Sequence, residues 1–289
     1  MTPILRKRGL LLAVLIAAAA VACAARQPGE TLRPGFNLFT KEQDTEIGRE
    51  ASQQVRQQYQ VVQNQFLQDY IKRVGDRLAA TPEAKRSGFT FTFTMLNDPA
   101  VNAFALPGGP MFILSGLVKS CDNEAQLAGV MGHEMSHVIL RHGTHAVTRA
   151  KAIELPALLA DALVNNGSVL GQLAQVGIGL GANSLLLHYS RDSESEADAL
   201  GTHLMAEAGY DPSQLAVFFQ KLQASGTQGS GFLSQFLSDH PNPGNRQQAI
   251  QAEIRTLPQR HYNYQTGEFE KARAAVRALP PPKKRPEQG

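Results

Sequence analysis

The chain has 289 residues, 43% of them hydrophobic, which suffices for a genuine core and excludes disorder throughout. Its formal net charge of +3 is matched by Arg6, Lys7 and Arg8 at the N-terminus, so the rest of the chain is neutral. It lacks the broad basic footprint of a nucleic-acid binder, and no nucleic-acid partner is expected.

In chain order, residues 1–22 read as a signal peptide: a basic start, an apolar run from Leu10 to Val21, then small residues. Ala20-Val21-Ala22 ahead of Cys23 resembles a bacterial lipobox, whose cysteine is acylated, and equally satisfies the A-x-A pattern of ordinary secretory cleavage. Residues 23–35, polar and broken by Pro28 and Pro34, suit a lipidated N-terminus and linker leading to a domain over 36–275. The Pro-rich basic segment 276–289 is expected to be disordered. With Cys23 spoken for, Cys121 has no partner for an internal disulfide and reads as a small buried hydrophobe.

Within the domain, Thr40 and Gln43 stand at capping-box spacing and open a helix. A second helix is predicted over Gln63–Ala80, with Phe66, Leu67, Tyr70, Ile71, Val74 and Leu78 on one stripe. Phe89–Met95, FTFTFTM, alternates at period two and predicts a strand with one buried face. Val101–Leu106 and Met111–Leu114 predict further strands, separated by Pro107-Gly108-Gly109-Pro110. A helix follows Asn123, where Gln126 again stands at capping spacing. Ile153–Leu187 is apolar but interrupted by Asp161, Asn165, Asn166, Gln172, Gln175 and Asn183, short of the roughly 18 apolar residues a span needs. It reads as helices flanking an active site. Further helices are predicted over Ser193–Ala208, Pro212–Gln223 and Gly244–Thr256. The fold class expected is α+β, mainly helical with a small sheet.

The chemistry concentrates in GHEMSHVILRHG, Gly132–Gly143. Residues four apart on a helix share a face, so His133 and His137 can reach one ion. This is the H-E-x-x-H arrangement in which two histidines hold zinc and the intervening glutamate, here Glu134, serves as base toward zinc-bound water. His142 misses the third-ligand position of metzincins by one residue, about 100° round the helix, and with His145 reads as a non-ligand. The third ligand is sought in SRDSESEADALG, Ser190–Gly201, where Glu194 and Asp198 share a face and Glu196 points about 200° away from Glu194. A carboxylate one turn beyond a ligating glutamate can accept the other N–H of a zinc-bound histidine.

These segments, with NAFALPGGPMFILSGLV (Asn102–Val118) and DHPNPGNR (Asp239–Arg246), resemble the M48 family of zinc metallopeptidases in its own order over about Phe36–Pro258. The resemblance is to the peptidase domain of Oma1-like and BepA-like members. It implies a zincin-type fold and one zinc ion per chain on His133, His137 and Glu194, with Glu134 as catalytic base and Asp198 orienting a ligand histidine. It further implies that Met111, Phe112, Ile113 and Leu114 form an edge strand to which an extended peptide adds. His240 corresponds to a loop histidine that in some BepA-like members approaches the zinc; a histidine held in a rigid turn by Pro241 is the alternative. The chain ends soon after this region, where BepA-like proteins carry TPR repeats, and Ala24 after Cys23 resembles the outer-membrane sorting pattern. The function implied is a periplasmic, outer-membrane-anchored zinc endopeptidase acting on unfolded or extended envelope polypeptides. An assembly factor or chaperone whose zinc site is structural, or held closed by His240, is the other reading.

Overall fold

The computed structural model describes residues 26–152, 189–226, 236, 240, 244–262 and 266–282. The segment expected to be a signal peptide, Cys23 and the Ile153–Leu187 stretch lie outside the described residues. The chain divides into two units, Met1–Thr31 and Leu32–Gly289. In the first, residues 26–31 include a turn at Gly29 and no helix or strand.

The second unit begins with α1 (Lys41–Gln58), capped as its spacing predicts: Gln43 N donates to Thr40 Oγ1 at 3.2 Å and Thr40 N donates to Gln43 Oε1 at 2.7 Å. In α2 (Gln65–Ala79), Leu67, Tyr70, Ile71, Val74 and Leu78 are buried. Phe66, expected on the same stripe, falls at its margin in the first turn and is 36% exposed. A short α3 (Pro82–Ser87) leads into the sheet.

Three strands, β1 (Thr92–Leu96), β2 (Ala103–Ala105) and β3 (Pro110–Leu114), pair in the order β1-β3-β2. β3 runs parallel to β1, with Thr92 opposite Pro110 and Leu96 opposite Leu114. It runs antiparallel to β2, with Ala103 opposite Ile113 and Ala105 opposite Met111. This corrects the expectation that Met111, Phe112, Ile113 and Leu114 form an edge strand. A strand has two hydrogen-bonding edges, and β3 uses both within the sheet. Its side chains are buried on both faces: Met111 and Ile113 join the core built on α2, and Phe112 and Leu114 the core built on α1. The same two-sided cover buries Thr94, Met95 and Leu96 in succession, so β1 does not keep the single buried face its alternation predicts.

α4 (Ser115–Ser120) follows β3 directly, and α5 (Glu124–Ile139) is buried along all 16 of its residues. Such a helix needs cover all round. Arg141, in the left-handed region at φ 58°, breaks the path after α5. That conformation costs a non-glycine residue roughly 1–2 kcal/mol, and the guanidinium anchors it by donating to Asp44 Oδ2 at 2.5 Å and Phe39 O at 2.6 Å. α6 (His142–Ala152) begins immediately afterwards. Then come α7 (Arg191–Glu207), α8 (Ser213–Gly226), α9 (Arg246–Ile254) and α10 (Phe269–Arg277). α10 is absent from the sequence reading and corrects it, because Val276, placed in the disordered tail, is fully buried with Phe269 and Ala272. Those three residues form one helical stripe, and Asn97 Nδ2 donates to Pro280 O at 2.9 Å beyond it. Residues 283–289 lie outside the described residues. Among the described residues no helix is long and apolar enough to cross a membrane.

One buried carboxylate and one glycine contact fix α5 and α7. The carboxylate of Glu124 sits in the first turn of α5 and accepts from Tyr70 Oη (3.1 Å), Tyr210 Oη (3.0 Å) and Thr266 Oγ1 (2.7 Å). A negative group is favoured at that end by the helix dipole. Against the middle of α5, α7 packs backbone to backbone at Gly201, where a Cβ would stand 3.0 Å from His133 N and 3.2 Å from its Cα. Gly201→Ala is therefore expected to force the helices apart at a cost of about 1–3 kcal/mol. Chemical denaturation measures it; unchanged stability would show that the crossing yields without strain.

Candidate metal centre

α5 presents His133 and His137 one turn apart, and α7, capped by Ser190, presents Glu194 in its first turn. His133 Nε2 lies 3.1 Å from His137 Nε2 and 3.4 Å from Glu194 Oε2, and His137 Nε2 lies 3.5 Å from Glu194 Oε1. His240 enters the same cluster: its Nδ1 is 3.3 Å from His133 Nε2 and 3.0 Å from Glu194 Oε1. These four residues, all buried, are brought together with donor atoms within 4.8 Å of one another.

The donor set fits a metal ion on two counts. A tetrahedron with bonds of about 2.0–2.1 Å has edges of about 3.3–3.4 Å, close to the separations observed. Charge gives the second: the buried carboxylates of Glu194 and Asp198 share the guanidinium of Arg246, and a third, Glu134, faces His240, so among the described residues acids outnumber permanently charged cations here and a divalent cation would offset them. Without such compensation buried charge is costly. Burial, reinforced by neighbouring imidazoles, pushes His137 well below the usual imidazole range, so its ring is neutral. Burial would also raise Glu194, but His240 and His133 outweigh it and hold the carboxyl well below the usual range.

A family model, Peptidase family M48, matches residues 65–254, more than half of the chain. The chain belongs to peptidase family M48. It is 32% identical over 182 residues to the mitochondrial metalloendopeptidase OMA1 of Schizosaccharomyces pombe, covering 63% of this chain and 51% of that protein. It is 30% identical over 212 residues to the beta-barrel assembly-enhancing protease of Yersinia pestis, covering 71% of this chain and 42% of that protein. A putative beta-barrel assembly-enhancing protease of Vibrio cholerae is 33% identical over 194 residues, 64% of this chain and 39% of that one. The chain thus spans about half, or less, of the length of these curated relatives.

In this M48 chain the polar groups behind the cluster are as ordered as the cluster itself. His133 Nδ1 lies 2.9 Å from Asp198 Oδ1, a short contact with its N–H direction off line. Burial would lower His133, but the adjacent carboxylates of Asp198 and Glu194 outweigh it and raise the imidazole above its usual value. His137 is stacked on Tyr189, ring centroids 3.8 Å apart, and its Nδ1 lies 2.9 Å from His142 Nδ1. Glu134 Oε1 faces His240 Nε2 at 3.2 Å. His240 stacks on the buried ring of Phe236 at 4.5 Å, and its N–H donates to Phe236 O at 2.9 Å.

Arg246 is the residue that sequence reasoning left without a task. It is 2% exposed, its guanidinium lies 3.6 Å from the centroid of the Phe219 ring, and it donates to both cluster acids. Nε reaches Asp198 Oδ2 at 2.5 Å, and Nη2 reaches Asp198 Oδ1 at 2.9 Å and Glu194 Oε2 at 3.0 Å. Its partners lie 48 and 52 residues away, so no local spacing announces it. Arg246→Leu is expected to destabilise the metal-free chain by about 3–5 kcal/mol, because two carboxylates lose their buried cation. Arg246→Lys should not restore it, since an ammonium cannot fork between both acids. Chemical denaturation decides; a loss below about 1 kcal/mol would mean that solvent compensates the acids.

Proposed function

We propose that the chain is a zinc-dependent endopeptidase that cleaves unfolded or extended polypeptides, with zinc on His133, His137 and Glu194 and Glu134 as the base. The observation that carries this is the convergence of two imidazoles and a carboxylate beside a buried glutamate, in a chain of family M48. Two nitrogens and one oxygen suit zinc, and a bound zinc ion supplies Lewis acidity that lowers the pKa of a water toward about 7 and polarises a carbonyl.

The remaining work falls to the chain. Glu134 accepts the proton of the attacking water and returns it to the departing amine. Asp198, held by Arg246, supports His133 from behind. Ala105 of β2 lines a recess with His137 and Tyr189, which supports pairing of an extended substrate along β2, one of the two strands with an edge outside the sheet order.

His240 supports a second, closed state of the same site. Its Nδ1 takes the fourth corner of the cluster, and its Nε2 occupies the space beside Glu134 where substrate would lie. A catalytic zinc site keeps one position open and a structural one fills it, so an assembly role with the site held shut is the alternative reading.

Placement in the cell envelope, as a lipoprotein acting on misfolded envelope proteins, draws on the signal-like residues 1–22, on Cys23, and on the relatives named beta-barrel assembly-enhancing proteases. Cys23→Ser should abolish incorporation of labelled palmitate; labelling that persists would rule out that anchor.

Cleavage of unfolded casein, with zinc content measured alongside, tests the chemistry. Glu134→Gln should keep its zinc and lose about 10²–10⁴-fold in kcat. Full activity in that variant would remove Glu134 from the mechanism. His240→Ala should raise kcat at unchanged zinc content if the closed state limits turnover, and a fall would make His240 part of the working site.

A further inference from the structure

The Nδ1 atoms of His137 and His142 are 2.9 Å apart, and His142 Nε2 lies 3.0 Å from Glu196 Oε2. His142 is buried, whereas the Glu196 side chain is 42% exposed. Neither belongs to the four-donor cluster.

Counting protons fixes each link. A neutral imidazole carries one N–H and one lone pair. Ligation through Nε2 leaves the proton of His137 on Nδ1, where it can only donate. The atom opposite, His142 Nδ1, must then accept, so the proton of His142 sits on Nε2 and is received by Glu196 Oε2. A doubly protonated His142 would set two N–H groups against each other at 2.9 Å. With His137 ligating through Nε2, this is the one arrangement in which both contacts are hydrogen bonds.

We propose that His142 is a positioning residue for the metal centre, holding His137 in its ligating tautomer by accepting its Nδ1–H and passing its own Nε2–H to Glu196. The proposal rests on the ligand reading given above. Both ligand imidazoles then have a carboxylate behind them, His133 directly through Asp198 and His137 through one intervening ring. Local geometry explains why His142 reaches this place. On a continuous helix a residue five positions on lies about 140° from His137; the left-handed turn at Arg141 breaks that path and lets His142 fold back. Glu196, on the far side of α7 from Glu194, meets it there.

The test compares wild type, His142→Leu, His142→Gln and Glu196→Ala in the full chain. Zinc affinity is read by competition with a chelating dye, and the His137 tautomer by long-range proton–nitrogen NMR of the zinc-free protein. His142→Leu removes the acceptor and is expected to weaken zinc about 10–100-fold and to move His137 toward the Nε2–H form. His142→Gln keeps an oxygen for His137 and an N–H for Glu196, and is expected to recover most of that affinity. A glutamine variant as weak as the leucine one, or a leucine variant with wild-type affinity and tautomer, overturns the proposal. If His142→Leu fails to fold, the surface change Glu196→Ala carries the test. It should weaken zinc about 3–10-fold, and unchanged affinity with unchanged His142 ring signals overturns the role. A wild-type chain that binds no zinc would instead sink the ligand reading itself.

Discussion

Everything at the metal centre depends on two helices crossing with almost no side chain between them. Where α5 and α7 meet, Gly201 lies against the backbone of His133, and a Cβ on Gly132 would stand 3.4 Å from Gly201 O. A methyl group on Gly201 would act on the distance between a histidine pair and a glutamate that belong to different elements. The crossing is held from outside by groups that are themselves buried. Glu124 collects three hydroxyl donors at the start of α5. Arg246, at the start of α9, clamps Glu194 and Asp198 along one face of α7.

Charge gives the centre its second constraint. Among the described residues three buried carboxylates share this space with one guanidinium, so permanent negative charge outnumbers permanent positive charge. That deficit favours a divalent cation over an empty site. It also explains how His240 can be drawn in, since an imidazole placed between Glu194 and Glu134 meets negative charge on both sides. The same negative charge therefore suits both a divalent cation and the His240 imidazole.

Much of the site is legible in the chain. The spacing of His133, Glu134 and His137 places them on one helix, and the pairing of Glu194 with Asp198 follows from the same period. What stayed hidden is the shell of residues behind them. Glu196 looks idle because it faces away from Glu194, yet it faces α6. His142 looks like a misplaced ligand, and its neighbour is His137. Arg246 has no local signal at all, and α10 is short enough for its three-residue stripe to pass as tail.

The sheet shows where the line falls. Met111–Leu114 is an unbroken apolar run, a pattern shared by any strand buried on both faces, and it does not say which strands flank it. By itself the sequence determined most of the helices, several of their caps and the shared faces of His133 with His137 and Glu194 with Asp198, because caps and periodicity act between residues a few positions apart. Only the tertiary structure decided that β3 is central, that His240 reaches the cluster and that His142 and Arg246 stand behind it. Those facts are distances between elements far apart in the chain, set by how two cores and one buried charge cluster close around each other.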